Sequence, residues 1–176
     1  MLREDTYKKF KYYLMIFFVG CFVGWIYEVV FYFITDHALS NPGFLYGPYL
    51  PVYGWGALAM VVFLKRYKKH PVLLFLLMVF LTGVLEYLTG ALMMALWHER
   101  WWDYTGLFLN INGYVCLRSV LSFGIGGLIL MYLIEPNVLK LSNTSKYKWI
   151  DALCFLLLTV FIIDNIIAFL VRHPLL

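Results

Sequence analysis

What most limits this chain is the length of its apolar runs. Blocks of roughly twenty residues recur between short polar stretches, and roughly twenty residues at 1.5 Å rise are what one helix needs to cross a ~30 Å hydrocarbon core. Composition agrees. Apolar residues make up 63% and charged residues 14%, whereas a soluble globule needs roughly 25% charged residues to cover itself in water. The expected fold is all-α: a polytopic transmembrane helical bundle, one integral membrane domain over residues 1–176, with the lipid bilayer as its surroundings. About five spans are expected, near 12–34, 50–64, 71–97, 113–134 and 149–171. The second is short unless its Pro-rich approach contributes. The first is too long for a signal-peptide core, carries Glu28 and lacks a small-residue cleavage site, so it is expected to be retained.

The basic residues give an orientation. Arg3, Lys8, Lys9 and Lys11 precede the first span, Lys65, Arg66, Lys68 and Lys69 lie in the second loop, and Lys140, Lys146 and Lys148 lie in the fourth. A five-span count puts all of these on one side, against Arg100 and Arg172 on the other. The Lys/Arg excess marks the cytoplasmic face. The N-terminus is therefore expected in the cytoplasm and the C-terminus outside. These clusters form no continuous basic face and no RNA-type motif, so no nucleic-acid partner is expected. Cys21, Cys116 and Cys154 lie inside apolar blocks at spacings that fit no zinc or redox motif, and read as small packing residues. His37, His70, His98 and His173 are scattered and read as solvated or interfacial. No metal and no cofactor are expected.

Two hairpins look alike. Gly24-Trp25-Ile26-Tyr27-Glu28 resembles Gly83-Val84-Leu85-Glu86-Tyr87, and each glutamate lies 17 residues beyond a basic flank ending at Lys11 or Lys69. A glycine then opens the next span, Gly54 or Gly113. This pattern suggests two hairpins of parallel orientation plus one added helix. In transporter folds built from repeats, binding sites tend to lie at the repeat interface.

Four ionisable side chains fall within spans: Glu28, Glu86, Arg118 and Asp164. Counting 1.5 Å per residue from the inner flanks places the three acids ~24–26 Å from the inner boundary, and Arg118 ~8 Å below the outer one. All four are thus expected in one outer layer. A charge at the bilayer centre costs roughly 2.5–3.5 kcal/mol on insertion scales, so such residues face protein or water. Arg118 can neutralise one acid. The remaining negative charge suits a cation, a proton or an amine-bearing solute. The bland alternative is a buried ionic cluster that fixes helix register. Gly20 and Gly24 lead to Glu28 at four-residue spacing, Thr82, Gly83, Thr89 and Gly90 flank Glu86, and Ser122 and Gly126 continue the Arg118 stripe, all favouring protein-facing sides.

The segment Gly43 to Gly54 holds two prolines and three glycines, which prevent a regular helix there. Irregular backbone at membrane depth survives only when buried in protein or lining a cavity, so a partly re-entrant loop over the acidic layer is expected. Tyr46, Tyr49 and Tyr53 in one outer loop, and Trp97, Trp101, Trp102 and Tyr104 in the other, read as an interfacial aromatic belt, with Tyr53 a candidate wall of the site. Asp103, Asn110 and Asn112 either supply polar groups from above or cap helix ends.

These residues carry a family resemblance. Gly24 through Glu28, Gly43-Phe44-Leu45-Tyr46-Gly47-Pro48, Pro51-Val52-Tyr53-Gly54, Glu86-Tyr87-Leu88-Thr89-Gly90, Trp102-Asp103-Tyr104 and Asn110 through Leu117 resemble the bacterial family named putative ABC-transporter type IV, or CmpB. The resemblance covers about Gly20 to Glu135; Val52 stands where isoleucine is the expected residue, and Asp164 lies beyond the match. It implies a permease-type subunit in a bacterial cell membrane, working with a separate ATPase. The chain itself has no G-x-x-x-x-G-K-[ST] phosphate loop. The leading expectation is a transporter permease or solute-binding subunit with Glu28, Glu86, Arg118, Asp103, Tyr53, Asn112 and Asp164 as candidate site residues for a small solute or cation. A membrane scaffold, sensor or assembly factor is the alternative. A membrane enzyme is disfavoured, since no Ser or Cys nucleophile is set beside a base.

Overall fold

The computed structural model describes residues 2–37, 39, 41–98, 100–144 and 148–172. Lys146 and His173 lie outside the described residues. The helices are α1 (Leu2–Asp36), α2 (Pro51–Ala59), α3 (Pro71–Trp97), α4 (Leu117–Ile129), α5 (Glu135–Asn143) and α6 (Lys148–Arg172). Among the described residues there is no strand, only one isolated bridge between Ile111 and Val115. Asp5–Thr35, Pro71–Trp97, Leu117–Asn143 and Trp149–Val171 are each long and apolar enough to cross a membrane. The fourth expected span starts later and runs further than its apolar block, because the helix continues through Pro136 to Asn143. A π-helical stretch, Leu130–Ile134, precedes that proline and loosens the turn its ring would otherwise clash with. The second expected span is nine α-helical residues followed by another π-helical stretch, Met60–Leu64. Nine residues rise only ~14 Å, about half a hydrocarbon core.

The chain divides into two compact units: Met1–Leu58 with Asn137–Leu176, and Ala59–Pro136. In the first, α2 lies on α1 through glycine. A Cβ at Gly20 would stand 2.7 Å from the Ala57 Cβ, one at Gly54 would stand 2.7 Å from the Phe17 ring, and one at Gly24 would run into the Tyr53 ring. The α1–α6 contact is aromatic: Phe161 meets Phe17 and Phe18 edge to face, with centroids 5.5 and 5.8 Å apart. At the expected inner end, the nearly buried Lys11 ammonium is 2.9 Å from Asp151.

In the second unit, α3 buries Leu74, Met78, Thr82, Glu86 and Gly90, one residue per four along a single stripe. α4 packs with Ser119, Gly124 and Gly127, and the missing side chains of the two glycines admit Phe75, Val79 and Met78. The packed face of α4 is therefore not the Arg118–Ser122–Gly126 stripe: Arg118 and Gly126 are exposed, and a Cβ at Gly126 would meet open space.

The hairpins share local features. α1 and α3 both end in a left-handed histidine, His37 at φ 53° and His98 at φ 57°, and α2 and α4 are each continued by a five-residue π-helical stretch. Cys21, Cys116 and Cys154 are free and buried.

Candidate functional site

Glu86 is set by the α3 stripe and is 8% exposed. The Tyr104 hydroxyl donates to its Oε1 at 3.0 Å, and the Ser119 hydroxyl donates to its Oε2 at 2.7 Å. Ser119 is the third residue of α4 and closes its N-terminus, accepting the Cys116 N–H at 3.2 Å. Its Oγ also lies 2.8 Å from the Cys116 carbonyl. A hydroxyl has one hydrogen, so Ser119 gives it either to Glu86 or to Cys116. Tyr104 also ties in Arg118, whose guanidinium carbon stands 6.0 Å from the Tyr104 ring centroid. One tyrosine thus offers its hydroxyl to the acid and its ring face to the cation.

In the first unit, half-buried Glu28 accepts a hydrogen bond from the Tyr53 hydroxyl. Gly24, one turn before the acid, leaves the space in which that ring lies. Asp164 on α6 is 8% exposed and is engaged differently. It accepts the N–H groups of Tyr46 (3.1 Å) and Gly47 (2.8 Å) and the Tyr49 hydroxyl (2.5 Å). All three donors belong to the irregular segment before α2, so the carboxylate braces that loop.

The loop after α3 holds Asp103 and Asn112. Asp103 Oδ1 accepts the Thr105 hydroxyl (2.5 Å), the Thr105 N–H (2.9 Å) and Arg100 Nη1 (3.1 Å). The Thr105 bonds first, and Arg100 after them, hold this carboxyl below the usual carboxylate range. Arg100 Nη1 also donates to the Asn112 carbonyl at 3.2 Å, and Asn112 Nδ2 donates to the Tyr87 hydroxyl at 2.9 Å. Asn110 braces a turn, donating to Leu107 O and accepting the Gly113 N–H.

Beyond Tyr49 and Tyr104, which the sequence reads only as part of an aromatic belt, two contributors lie outside the residues that the sequence singles out as site candidates. Ser119 is one, hidden because a lone serine in an apolar helix carries no signal. Glu135 is the other. It is 1% exposed, with Lys65 at 2.6 Å and Lys68 at 3.1 Å; an acid at the inner end of a span, in a chain with a dense basic loop, was the available hint. Among the described residues, no group of three or more His, Cys, Asp or Glu could hold a metal.

No curated protein and no solved structure matches the chain. The family model described as Putative ABC-transporter type IV matches residues 15–169. That match takes in Glu28, Glu86 and Arg118, and also Asp164, which the sequence resemblance left outside, and the chain belongs to this family of membrane proteins.

Proposed function

We propose that this chain is the membrane-spanning subunit of a transporter, with Glu28 and Glu86 as the groups that take a proton, a cation or the amine of a small solute. The observation that carries this reading is the way Glu86 is held: a carboxylate 8% exposed, with one oxygen on the Tyr104 hydroxyl and the other on that of Ser119. Hydroxyls suit such a role because each is both donor and acceptor. They hydrogen-bond an empty carboxylate, then rotate and offer oxygen when an ammonium or metal cation arrives. Glu28 and Tyr53 supply the same pairing in the first hairpin. Arg118, beside Tyr104, is suited to the carboxylate of a zwitterionic solute. Asp164 is a positioning residue for the loop that carries Tyr49 and leads to Tyr53. The basic inner segments favour a cytoplasmic N-terminus. A separate ATPase supplies the energy, docking at the Lys65 to His70 segment.

The test is uptake into proteoliposomes by wild type, Glu28→Gln and Glu86→Gln, with and without copurified ATPase. Loss of uptake in both variants, with unchanged thermal unfolding, supports the reading. Wild-type flux in well-folded variants removes both residues from it.

A further inference from the structure

A groove of about 540 Å³ lies between α3, α4 and the loop that joins them, within the ~300–1,000 Å³ range of ligand pockets. Its walls are apolar: Val79, Val84 and Leu88 of α3, Val120 of α4, and Leu109 and Ile111 of the loop. Counted from Pro71, Val79 lies ~12 Å and Leu88 ~26 Å along the helix, so the groove spans the half of a ~30 Å core nearer the loop, the depth of one leaflet. A polar rim adjoins this lining through Tyr87. Tyr87 borders the groove and bonds Asn112, which bonds Arg100, which pairs with Asp103. This rim carries one positive and one negative side chain, 36% and 52% exposed. Arg100 reaches Asp103 and the Asn112 carbonyl through Nη1, and a guanidinium has further N–H donors on Nε and Nη2. The loop also holds strain toward this face. Leu109 sits at φ 51°, a conformation that L side chains rarely adopt, and Phe108 and Leu109 are 75% and 63% exposed.

We propose that this groove binds one phospholipid from the loop-side leaflet, an acyl chain lying along Val79 to Leu88 and a zwitterionic headgroup lying on the rim. The phosphate meets Arg100 and the headgroup ammonium meets Asp103. This pairing selects an aminoethyl phospholipid over one with a glycerol headgroup, which has no cation to offer Asp103.

The test uses the full chain in nanodiscs that hold equal amounts of ethanolamine and glycerol phospholipids. Native mass spectrometry is expected to show one retained lipid per chain, with the ethanolamine form preferred. Val84→Trp fills the groove and is expected to lower retention about tenfold, ~1.4 kcal/mol. Asp103→Asn is expected to abolish the headgroup preference while keeping a lipid bound. A wild-type chain carrying a photoreactive acyl chain is expected to crosslink within residues 79–88 and 109–120, which keeps the proposal testable if Val84→Trp does not fold. Label spread evenly over lipid-facing residues of α6, such as Phe155 and Leu170, overturns it. So does efficient disulfide dimer formation by Leu88→Cys, which would mean that a second copy covers the groove.

Discussion

The amide of Leu50 donates to the carbonyl of Cys21 at 3.1 Å, and Cys21 lies near the middle of α1. The irregular segment before α2 therefore reaches mid-helix on a helix long enough to span a bilayer. Leu45 and Leu50, 4% and 7% exposed, close it against its own unit. Backbone without helical bonding is costly at such depth unless protein groups satisfy it, which gives the Asp164 contacts their weight.

Replacing Asp164 with Asn is expected to destabilise by ~1.5–3 kcal/mol, because charge-assisted bonds become neutral and an amide NH2 faces at least one donor. Thermal unfolding in detergent measures the loss. Hydrogen exchange in residues 44–50 should quicken while helix content stays constant. Tyr49→Phe removes only one of the three bonds and is expected to cost ~0.5–1.5 kcal/mol.

Ser119→Ala takes one hydroxyl from Glu86 and the cap from the Cys116 N–H, for an expected loss of ~1–3 kcal/mol. Ser119→Thr keeps the hydroxyl and should restore most of it. Equal unfolding temperatures for the alanine variant and wild type would show that the bond to Glu86 contributes nothing.

Glu135→Gln leaves the Lys65 and Lys68 ammonium groups without their counter-charge. A fully buried pair broken in this way costs roughly 3–5 kcal/mol, but these lysine side chains are 40% and 30% exposed. Solvent screening therefore reduces the expected loss to ~1–3 kcal/mol. Combining Glu135→Gln with Lys65→Met should cost less than the sum of the two single losses, measured as a double-mutant cycle.

Asp103 sets the pH response of its loop. Its folded pKa lies below the unfolded value because Thr105, and then Arg100, bond the charged form. Its contribution to loop stability is therefore complete above the ordinary carboxylate pKa and disappears as pH falls through the depressed folded value. Hydrogen exchange of the Thr105 amide, corrected for intrinsic rates, should show protection that is flat near neutral pH and falls in acid. Asp103→Asn should flatten that profile.

Much of the fold was legible because lipid imposes a simple rule on length and polarity. The run from Pro71 to Trp97 and the run ending near Val171 coincide with helices for that reason. The acid stripe of α3 was legible too, since Thr82, Glu86 and Gly90 repeat every four residues. The packed face of α4 was not: Arg118, Ser122 and Gly126 repeat every four residues, whereas the packed Ser119, Gly124 and Gly127 do not, and small residues occur on both sides of that helix. The π-helical stretches leave no mark, because Met60–Leu64 and Leu130–Ile134 are as apolar as their surroundings. Nor does sequence separation reveal that Tyr104 and Ser119 converge on one carboxylate.

The wide turn at Leu130–Ile134 also fixes the angular phase of Glu135. One residue fewer there would restore ordinary winding and swing Glu135 by about 100° around the axis, carrying its carboxylate away from both lysines. A helix in uniform register would then have to give up either the glycine seam of α4 or this ionic lock at its far end; the extra residue reconciles the two on a single rod.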